Sequence, residues 1–347
     1  MREKELARWL QRYEGRPLRL MEVCGTHTAE LYRSGIRQML PETITLLSGP
    51  GCPVCVTPTA YIDKLVEYAL TDGCKVLSFG DLLAVPGSRL SLAGARDQGG
   101  KVDFLYSPED ALDLAAREPD TMFVLAAVGF ETTAPVWASL ARRVCEEGIG
   151  NIRFLTALKT MPAAIRTLAE TGHIDGFLCP GHVAVITGSA AYRELAASCH
   201  ATMVIGGFTP PLLLRALARL VLECAKGEKG LWNEYPAVVR ENGNERARSL
   251  MAEVFEPGDA VWRGLGNLPG SGLYLAGRYR ELDAGSQGLT EDAKPASCCC
   301  DKVLTGKMRP AQCPCFGRAC VPEHPVGACM VSGEGACCIA YREGDFI

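Results

Sequence analysis

Cysteine is the residue that most constrains how this chain can fold. The sequence of 347 residues contains 17 cysteines, and they are most frequent near the C-terminus. The cysteines of this tail are Cys298, Cys299, Cys300, Cys313, Cys315, Cys320, Cys329, Cys337 and Cys338. An odd number of thiols cannot all pair, and a reducing compartment disfavours a framework of disulfides. The clustering therefore indicates that the tail binds a metal.

Charge and hydropathy exclude several kinds of partner. The net charge is −4 and no basic stripe is present, so we expect no nucleic-acid partner. Apolar runs such as Phe123–Val128 are too short to cross a bilayer, so we expect no membrane contact. The first residues are charged throughout and lack the apolar core of a signal peptide. We therefore expect a cytoplasmic protein.

Short apolar runs alternate with helical patterns from Arg16 to about Gly207, which is typical of α/β folds with parallel sheets. The predicted strands are Leu18–Val23, Ile44–Leu47, Lys75–Phe79, Met122–Val128, Arg153–Ala157, Gly176–Leu178 and Thr202–Ile205. We expect two α/β halves that meet near Pro119, and then a less regular cysteine-rich domain. The predicted limits are 15–118 and 119–224 for the two halves, and 1–14 with 225–347 for the third domain.

Four unusual loops follow predicted strands. They read CGTHT from Cys24, GPGCPVC from Gly49, GFETTAP from Gly129 and CPGHV from Cys179. Open α/β sheets bind ligands beyond the carboxyl ends of their strands. We therefore expect the loops to face one cleft and to bring together Cys24, His27, Cys52, Cys55, Glu131, Cys179 and His182.

Cys52 and Cys55 have the spacing of a pair that closes a small disulfide or holds a metal. Thr57 and Pro58 look like the N-cap and the first residue of a helix. Thiols near a helix N-terminus have lowered pKa values, which favours a redox-active dithiol. Two unreactive thiols in a glycine turn are the alternative.

The other loop residues are less decisive. Cys24 could bind a metal, and His27 is close enough in sequence to bind it too or to donate a hydrogen bond. Glu131 could handle protons or could simply complement the N-terminus of the helix that follows it. His182 lies in a Pro-Gly turn, and Cys179 could equally be a packed thiol. Four cysteines in periodic segments are expected to be buried thiols, namely Cys74, Cys145, Cys199 and Cys224.

The spacing of the tail cysteines bears on which metal they bind. Zinc sites usually show two Cys-x-x-Cys pairs with a spacer, and this tail has no such pairs. Iron–sulfur clusters also take four thiolates but tolerate more varied spacings. One [4Fe–4S] cluster is therefore the favoured prediction, with structural zinc as the alternative.

Several motifs together resemble those of the HypD family. They are MEVCGTHT, LLSGPGCPVCVTP, GDLLAVPGS, YSPEDAL, GFETTAP, CPGHVAVITG, VVRENGNERA and, in the tail, CxCDKVLTG with QCPCFGRACVPEHPVGACMVSGEGAC. The resemblance covers nearly the whole chain. It implies two similar Rossmann-like α/β domains whose parallel sheets face a central cleft, plus a smaller irregular iron–sulfur domain.

The resemblance also implies a function, which is assembly of the Fe(CN)2CO group of [NiFe]-hydrogenase. A HypC-type chaperone would share the transient iron, a HypE-type protein would donate cyanide, and a hydrogenase large-subunit precursor would receive the product. The family pattern maps the iron ligand onto Cys24 and a redox dithiol onto Cys52 and Cys55. The tail maps onto a [4Fe–4S] domain, with Cys298, Cys313, Cys320 and Cys337 as the preferred ligands and Cys300 and Cys329 as alternates.

Two departures from the family pattern are visible. The segment Gly207-Phe208-Thr209-Pro210 lacks the carboxylate that the family usually carries there. Cys299, Cys315 and Cys338 adjoin the motif cysteines as extra thiols.

Two other functions stay open at this point, a self-contained iron–sulfur disulfide reductase acting through Cys52 and Cys55, and a zinc protein with no redox role. If the tail cluster reloads the dithiol with electrons, Cys52 and Cys55 must lie close to the tail cysteines. A dithiol stores two electrons, whereas a [4Fe–4S] cluster usually passes one at a time.

Overall fold

Eleven strands build the part of the chain described by the computed structural model, which comprises residues 3–290 and 298–346. The strands are β1 (Leu18–Glu22), β2 (Ile44–Ser48), β3 (Cys74–Ser78), β4 (Val102–Phe104), β5 (Met122–Gly129), β6 (Ile152–Lys159), β7 (Gly176–Pro180), β8 (Thr202–Gly206), β9 (Gly230–Asn233), β10 (Phe255–Trp262) and β11 (Gly266–Leu275). All seven predicted strands are present at the expected places. Buried parallel strands are short apolar runs, which is why the sequence shows them clearly.

Helices connect and cover these strands. They are α1 (Glu3–Gln11), α2 (Gly25–Arg33), α3 (Thr59–Ala69), α4 (Leu92–Asp97), α5 (Asp110–Arg117), α6 (Ala134–Glu146), α7 (Met161–Glu170), α8 (Gly181–Thr187), α9 (Ser189–Ser198), α10 (Pro210–Lys226), α11 (Glu245–Val254), α12 (Cys300–Leu304), α13 (Ala328–Val331) and α14 (Ala336–Arg342). Short 3-10 turns span Gly80–Leu82, Gly277–Leu282 and Pro310–Gln312. No helix of the described residues is long and apolar enough to cross a bilayer.

The strands form two sheets, and the predicted α/β class with two parallel-dominated sheets is confirmed. The first sheet is parallel throughout, in the order β2-β1-β7-β8-β9. The second has the order β10-β11-β6-β5-β3-β4. Its strands β3 to β6 run parallel, whereas β10 and β11 form an antiparallel hairpin at one edge.

The predicted domain limits do not coincide with the sheets and need correction. Strand β1 pairs with β7, so that Leu20 faces Gly176 across a boundary placed at residues 118 and 119. Each predicted half therefore contributes strands to both sheets. The predicted third domain is also divided, because β9 joins the first sheet and β10–β11 join the second. Short apolar runs identify strands but carry no information about which strands pair over long distances.

The hairpin β10–β11 was not expected from the sequence. Pro257 and Gly258 lie within β10, and both residue types normally argue against a strand. The strand accommodates them at the sheet edge, where the pairing register shifts between Gly258 and Ala260. Such a bulge lets an irregular sequence continue as a strand.

One continuous apolar core joins both sheets to the cysteine-rich tail. It includes Met21 of β1, Val124 of β5 and Ile205 of β8, and it extends to Cys329 and Ile339 in the tail. All five of these residues are buried. The tail is therefore packed into the junction between the sheets, and it is not an appended segment.

The segment 238–244, which precedes α11, is hydrogen-bonded to the end of α8 and the start of α9. The backbone N–H of Asn244 donates to the carbonyl of Ile186 at 3.0 Å, and that of Ser189 donates to Arg240 at 3.0 Å. Gly243 has φ +66°, and a Cβ on it would lie 2.3 Å from the carbonyl oxygen of Ile186. Because α11 leads into the second sheet, this contact links the two halves of the fold.

We expect Gly243→Ala to destabilise the protein more than Gly148→Ala. Both glycines have positive φ, but a Cβ on Gly148 would meet nothing within 4 Å. The strain of a left-handed residue, about 1 kcal/mol, is thus common to both variants. The steric overlap at Gly243 should add about 2 kcal/mol, measured by urea unfolding. Equal unfolding free energies for the two variants would show that the backbone around Gly243 can shift to accommodate a Cβ without loss of stability.

Candidate thiol centre

The loop that carries Cys24 is fixed by a buried carboxylate. Glu22 is fully buried at the end of β1, and it accepts hydrogen bonds from the Cys24 backbone N–H at 3.1 Å and from the Thr28 hydroxyl. Cys24 itself is the N-cap of α2. Burial raises the pKa of its thiol to about 12. The thiol is thus held in place and is protonated in the absence of a bound metal.

Glycines allow three loops to meet at Cys24. The Gly25 N–H donates to the Gly51 carbonyl at 3.2 Å. A Cβ on Gly51 would lie 2.4 Å from the backbone nitrogen of Cys24, and one on Gly25 would lie 2.6 Å from Glu334. The Cys24 loop, the loop containing Cys52 and Cys55, and the tail are therefore in direct backbone contact. Any side chain at Gly51 would push the first two loops apart.

Cys52 and Cys55 face the tail. The Cys52 sulfur accepts the Cys55 backbone N–H at 3.2 Å, and the Cys55 thiol donates to the Ala328 carbonyl at a sulfur–oxygen distance of 3.8 Å. Cys55 also contacts the thiols of Cys329 and Cys52, and burial followed by these contacts raises its pKa. The predicted closeness of the dithiol to the tail is thus confirmed.

The helix after this loop starts later than the sequence indicated. Pro58 is the N-cap of α3 and the first helical residue is Thr59, so Thr57 lies outside the helix. The predicted lowering of thiol pKa values by the helix N-terminus is wrong for Cys55, whose pKa is raised. Full burial outweighs the helix dipole, which acts only within about one turn.

A line of touching thiols continues from Cys55 into the tail. Cys329 is hydrogen-bonded to Cys55, Cys300 and Cys337, and these three contacts lower its pKa. The Cys298 and Cys300 sulfurs are 3.1 Å apart. The dithiol is therefore joined to Cys300, Cys337 and Cys298 by a series of sulfur contacts, in which Cys329 is the link.

Most of the tail thiols line one small cavity. Its walls are Cys298, Cys299, Cys300, Val303, Cys313, Cys315, Phe316, Cys320, Val326, Met330 and Cys337. A Cβ on Gly327 would lie 2.4 Å from the Cys298 sulfur and 2.5 Å from that of Cys300, so this wall requires glycine. Thiols on an apolar wall are the donor set of an iron–sulfur cluster. All four preferred ligands and Cys300 line the cavity, whereas Cys329 lies behind it.

Seven cysteines line the cavity, which are enough donors for a cluster or for zinc, and the metal stays a prediction. Across residues 3–290 and 298–346, no three His, Cys, Asp or Glu side chains converge in a way that could hold one metal ion. A zinc site needs four ligands around one point. The thiolates of a cluster surround a larger body than a single zinc ion. The choice of four ligands stays a prediction.

Two histidines from different loops sandwich Phe208. The ring centroid of Phe208 lies 4.6 Å from that of His27 and 3.5 Å from that of His182. Burial, with His182 as a smaller cause, lowers the pKa of His27 to about 3, and burial lowers the pKa of His182. Neither ring nitrogen of His27 has a hydrogen-bond partner within the described chain. Phe208 belongs to the segment that departs from the family pattern, so the sequence drew attention to that segment. It gave no sign that the Phe208 ring packs between two histidines.

Glu131 complements a different helix from the one expected. Its Oε1 accepts the Met161 N–H at 2.9 Å, at the start of α7, whereas α6 is the helix that follows it in sequence. Its Oε2 is buried and has no partner among the described residues. Burial raises the pKa of this carboxyl to about 7. Glu131 also borders a groove of about 1000 Å³ that includes Arg248.

Tyr192 was missed by the sequence reasoning. It is fully buried in α9, and its hydroxyl lacks a hydrogen-bond partner in the described part of the chain. Burial raises its pKa, and Cys179, Glu131 and Cys24 are smaller causes in the same direction. It therefore lies within electrostatic reach of three predicted site residues. Its helix carries no distinctive motif, so nothing in the sequence separates it from a core tyrosine.

The remaining cysteines differ in burial more than the sequence predicted. Cys179 is fully buried at the end of β7, where burial raises its pKa, and Cys224 is also buried. Cys74, Cys145 and Cys199 are only partly buried, which corrects the expectation for these three. They lie at the ends of helices or at the start of β3, where side chains reach the surface.

The fold and the site define a two-sheet α/β protein with a buried thiol centre at the sheet junction. The chain belongs to the HypD family, because a family model described as "Hydrogenase formation hypA family" matches residues 2–344. It is 39% identical to the hydrogenase maturation factor HypD of Escherichia coli K12, over 98% of this chain and 92% of that protein. It is 37% identical to the HypD of Rhodobacter capsulatus, over 95% of this chain and 90% of that protein. It is 39% identical to the HypD of Azotobacter vinelandii, over 95% of this chain and 90% of that protein.

Glu131→Gln should change how stability depends on pH. The folded pKa of about 7 exceeds the ordinary value of 4.5, so the folded state holds this proton more tightly than the unfolded state. The resulting stabilisation is present below pH 4.5 and is lost as the pH rises through 7. Relative to the variant, the wild type should lose about 2 kcal/mol between pH 5 and pH 8 in urea unfolding. Parallel curves for the two proteins would show that Glu131 has an ordinary pKa.

Proposed function

We propose that this chain is the scaffold on which the Fe(CN)2CO group of [NiFe]-hydrogenase is assembled. The relatives carry the name hydrogenase maturation factor, and the chain shares their family. The observation that carries the proposal is the position of Cys24, whose loop contacts the Cys52–Cys55 loop through the hydrogen bond between Gly25 and Gly51. This contact supports the proposal, because the proposed iron ligand and the proposed redox dithiol would then lie in neighbouring loops.

Cys24 is the proposed ligand of the iron substrate. Thiolate is a soft, strong ligand for iron, and no other residue of the CGTHT loop carries a thiol. Cys24 as a residue is 8% exposed, so a partner must approach closely to share the metal. We propose that a HypC-type chaperone supplies the second thiolate and that a HypE-type protein brings cyanide. The completed group would then pass to a hydrogenase large-subunit precursor.

Cys52 and Cys55 are the proposed source of electrons for cyanide delivery. Closure of the dithiol to a disulfide releases two electrons and two protons. Cleavage of the sulfur–carbon bond in a thiocyanate on the donor protein consumes two electrons and yields a thiolate and cyanide. One proton neutralises the thiolate, and the other passes to solvent as the cyanide binds iron as an anion. A [4Fe–4S] cluster in the tail would supply single electrons when bound. The contact of Cys55 with Ala328 and Cys329 supports this route.

The same contact favours a second candidate, a disulfide reductase for an external protein. A dithiol beside a thiol-rich cavity would suit that role equally well. Cys24 distinguishes the two functions, since a reductase does not need a third thiol with a neighbouring histidine. Loss of function in a Cys24 variant that still reduces protein disulfides would therefore favour the scaffold.

Cys24→Ala should abolish retention of the iron substrate. We expect no CN or CO bands in the infrared spectrum of the anaerobically purified complex with the chaperone. Iron and sulfide bound by the tail should be unchanged, because Cys24 does not line the tail cavity. Cys145→Ala, at a partly exposed position on α6, is the matched control and should keep the bands. Bands of normal intensity in Cys24→Ala would remove Cys24 as the ligand.

Cys52→Ser and Cys55→Ser should each keep the tail cluster but stall cyanide transfer. A single thiol cannot deliver two electrons by forming an internal disulfide. The readouts are CN band intensity after mixing with the cyanide donor and visible absorption of the cluster. In the wild type, mild oxidation should link Cys52 to Cys55, as detected by mass spectrometry of the alkylated protein. Normal transfer by either variant would contradict the dithiol role and leave the Cys24 proposal standing.

A further inference from the structure

The tip of the hairpin β10–β11 reaches three of the segments around the thiol centre. The Trp262 ring at the end of β10 stacks on that of Phe130 in the GFETTAP loop, with ring centroids 5.6 Å apart. The backbone N–H of Arg263 donates to the Val56 carbonyl at 2.9 Å, directly after the dithiol. A Cβ on Gly264 would lie 2.7 Å from the backbone of α12 in the tail. The hairpin tip is therefore part of the junction that holds the thiol centre.

Arg263 places a permanent positive charge in this junction. The residue is 5% exposed, and a guanidinium stays charged in a protein. A buried charge needs hydrogen-bond acceptors around it. One acceptor is the carbonyl of Thr57, which takes a hydrogen bond from Arg263 Nε at 3.0 Å. Thr57 is buried too, and it is the second residue after Cys55. The end of the dithiol loop is thus held by a side chain that comes from the other sheet.

Thr57 in turn holds the turn between the two cysteines. Its hydroxyl donates to the Pro53 carbonyl at 2.9 Å, and its backbone N–H donates to the Val54 carbonyl at 3.3 Å. Pro53 and Val54 are the two residues that separate Cys52 from Cys55. A chain of hydrogen bonds therefore runs from the hairpin tip to the backbone that sets the positions of the two sulfurs.

We propose that Arg263 is a positioning residue for the Cys52–Cys55 dithiol and acts on it through Thr57. The inference rests on the proposed redox role of these two cysteines. A disulfide closes readily where the chain already holds its two sulfurs close together. The hydrogen bond from Arg263 to Thr57 limits the freedom of the loop, so less conformational entropy is lost when the disulfide forms. Without that bond the dithiol would be a weaker two-electron donor.

Two substitutions break this chain of bonds at different points. Arg263→Lys keeps the charge but has no N–H group at the position of Nε. Thr57→Val removes the hydroxyl that holds the Pro53 carbonyl. Lys159→Met is the matched control, because it removes another buried cation beside the hairpin, one whose ammonium group donates to the Val261 carbonyl at 2.7 Å.

The measurement is the equilibrium of each full-length protein, purified without oxygen, with glutathione. The Cys52 and Cys55 thiols give two electrons and two protons to one glutathione disulfide, so that one protein disulfide and two glutathione thiols form. Mass spectrometry of the alkylated peptides measures the fraction of protein with the Cys52–Cys55 link and separates it from links to other thiols.

The equilibrium constant for this link should fall about 10-fold in Arg263→Lys and in Thr57→Val, which is the order of one hydrogen bond. Arg263→Lys/Thr57→Val should fall little further than either single variant, because the two bonds act in one chain. Lys159→Met should keep the wild-type constant. Urea unfolding of the reduced proteins measures any general loss of stability separately.

The wild type offers a test that does not depend on how well a variant folds. If the hairpin tip and the dithiol loop are coupled, closing the disulfide must in turn hold the tip more firmly. Hydrogen exchange of the Arg263 backbone amide, which donates to Val56, should therefore be slower in the disulfide form than in the dithiol form. Equal exchange rates in the two forms would overturn the inference.

A purely structural role for Arg263 predicts a different pattern. Arg263→Lys would then be less stable in urea yet keep the wild-type equilibrium constant, and this result would overturn the inference. So would a Lys159→Met constant that falls as far as that of Arg263→Lys, or single effects that multiply in full in the double variant. A wild type that forms no Cys52–Cys55 disulfide would refute the proposed dithiol role, and the inference with it. Failure of the Cys24 assignment alone would leave the inference standing.

Discussion

The packing of the tail against the loop after β2 is the contact on which the rest of the site depends. The Cys55 thiol reaches the Ala328 carbonyl, and its sulfur touches Cys329, which also touches Cys300 and Cys337. The apolar core runs through this contact from both sheets into the tail. A change in the tail therefore reaches the dithiol through packed atoms, and the dithiol loop reaches Cys24 through the Gly51 contact.

Burial keeps two residues of the Cys24 loop uncharged, in contrast to Cys329, whose thiol contacts lower its pKa. His27 and Cys24 are held in their neutral forms, because a charge in a dry interior is costly and no nearby opposite charge offsets that cost. Burial also favours the neutral form of Glu131, whose pKa is raised to about 7. In a buried, low-dielectric site, electrostatic interactions with a bound ion are stronger than in water. A metal brought to Cys24 would thus displace a proton and become the dominant local charge.

Much of this fold could be predicted from the sequence, for identifiable reasons. Buried parallel strands and a tail of clustered cysteines leave clear patterns, and the loops with Cys24 and Cys52 were expected to meet. The pairing of β1 with β7 was not predictable, since it joins residues more than a hundred positions apart and no periodicity records it. Tyr192 and Phe208 were missed as site residues for a related reason. Their chemistry comes from neighbours supplied by other loops, and no motif marks them.

The interleaved order of the strands has a consequence for synthesis. Strands β1 and β2 leave the ribosome first, but β7, which pairs with β1, follows only after most of the second sheet has been made. Until β7 is made, β1 has an unpaired edge, and unpaired strand edges can pair with other chains and aggregate. The second sheet is incomplete until its hairpin, β10–β11, has emerged. The tail thiols emerge later still, because they follow every described strand in the chain. The order of the elements thus delays completion of the two sheets until β9 and β11 have been made, and pairings between such distant residues are typical of slowly folding topologies.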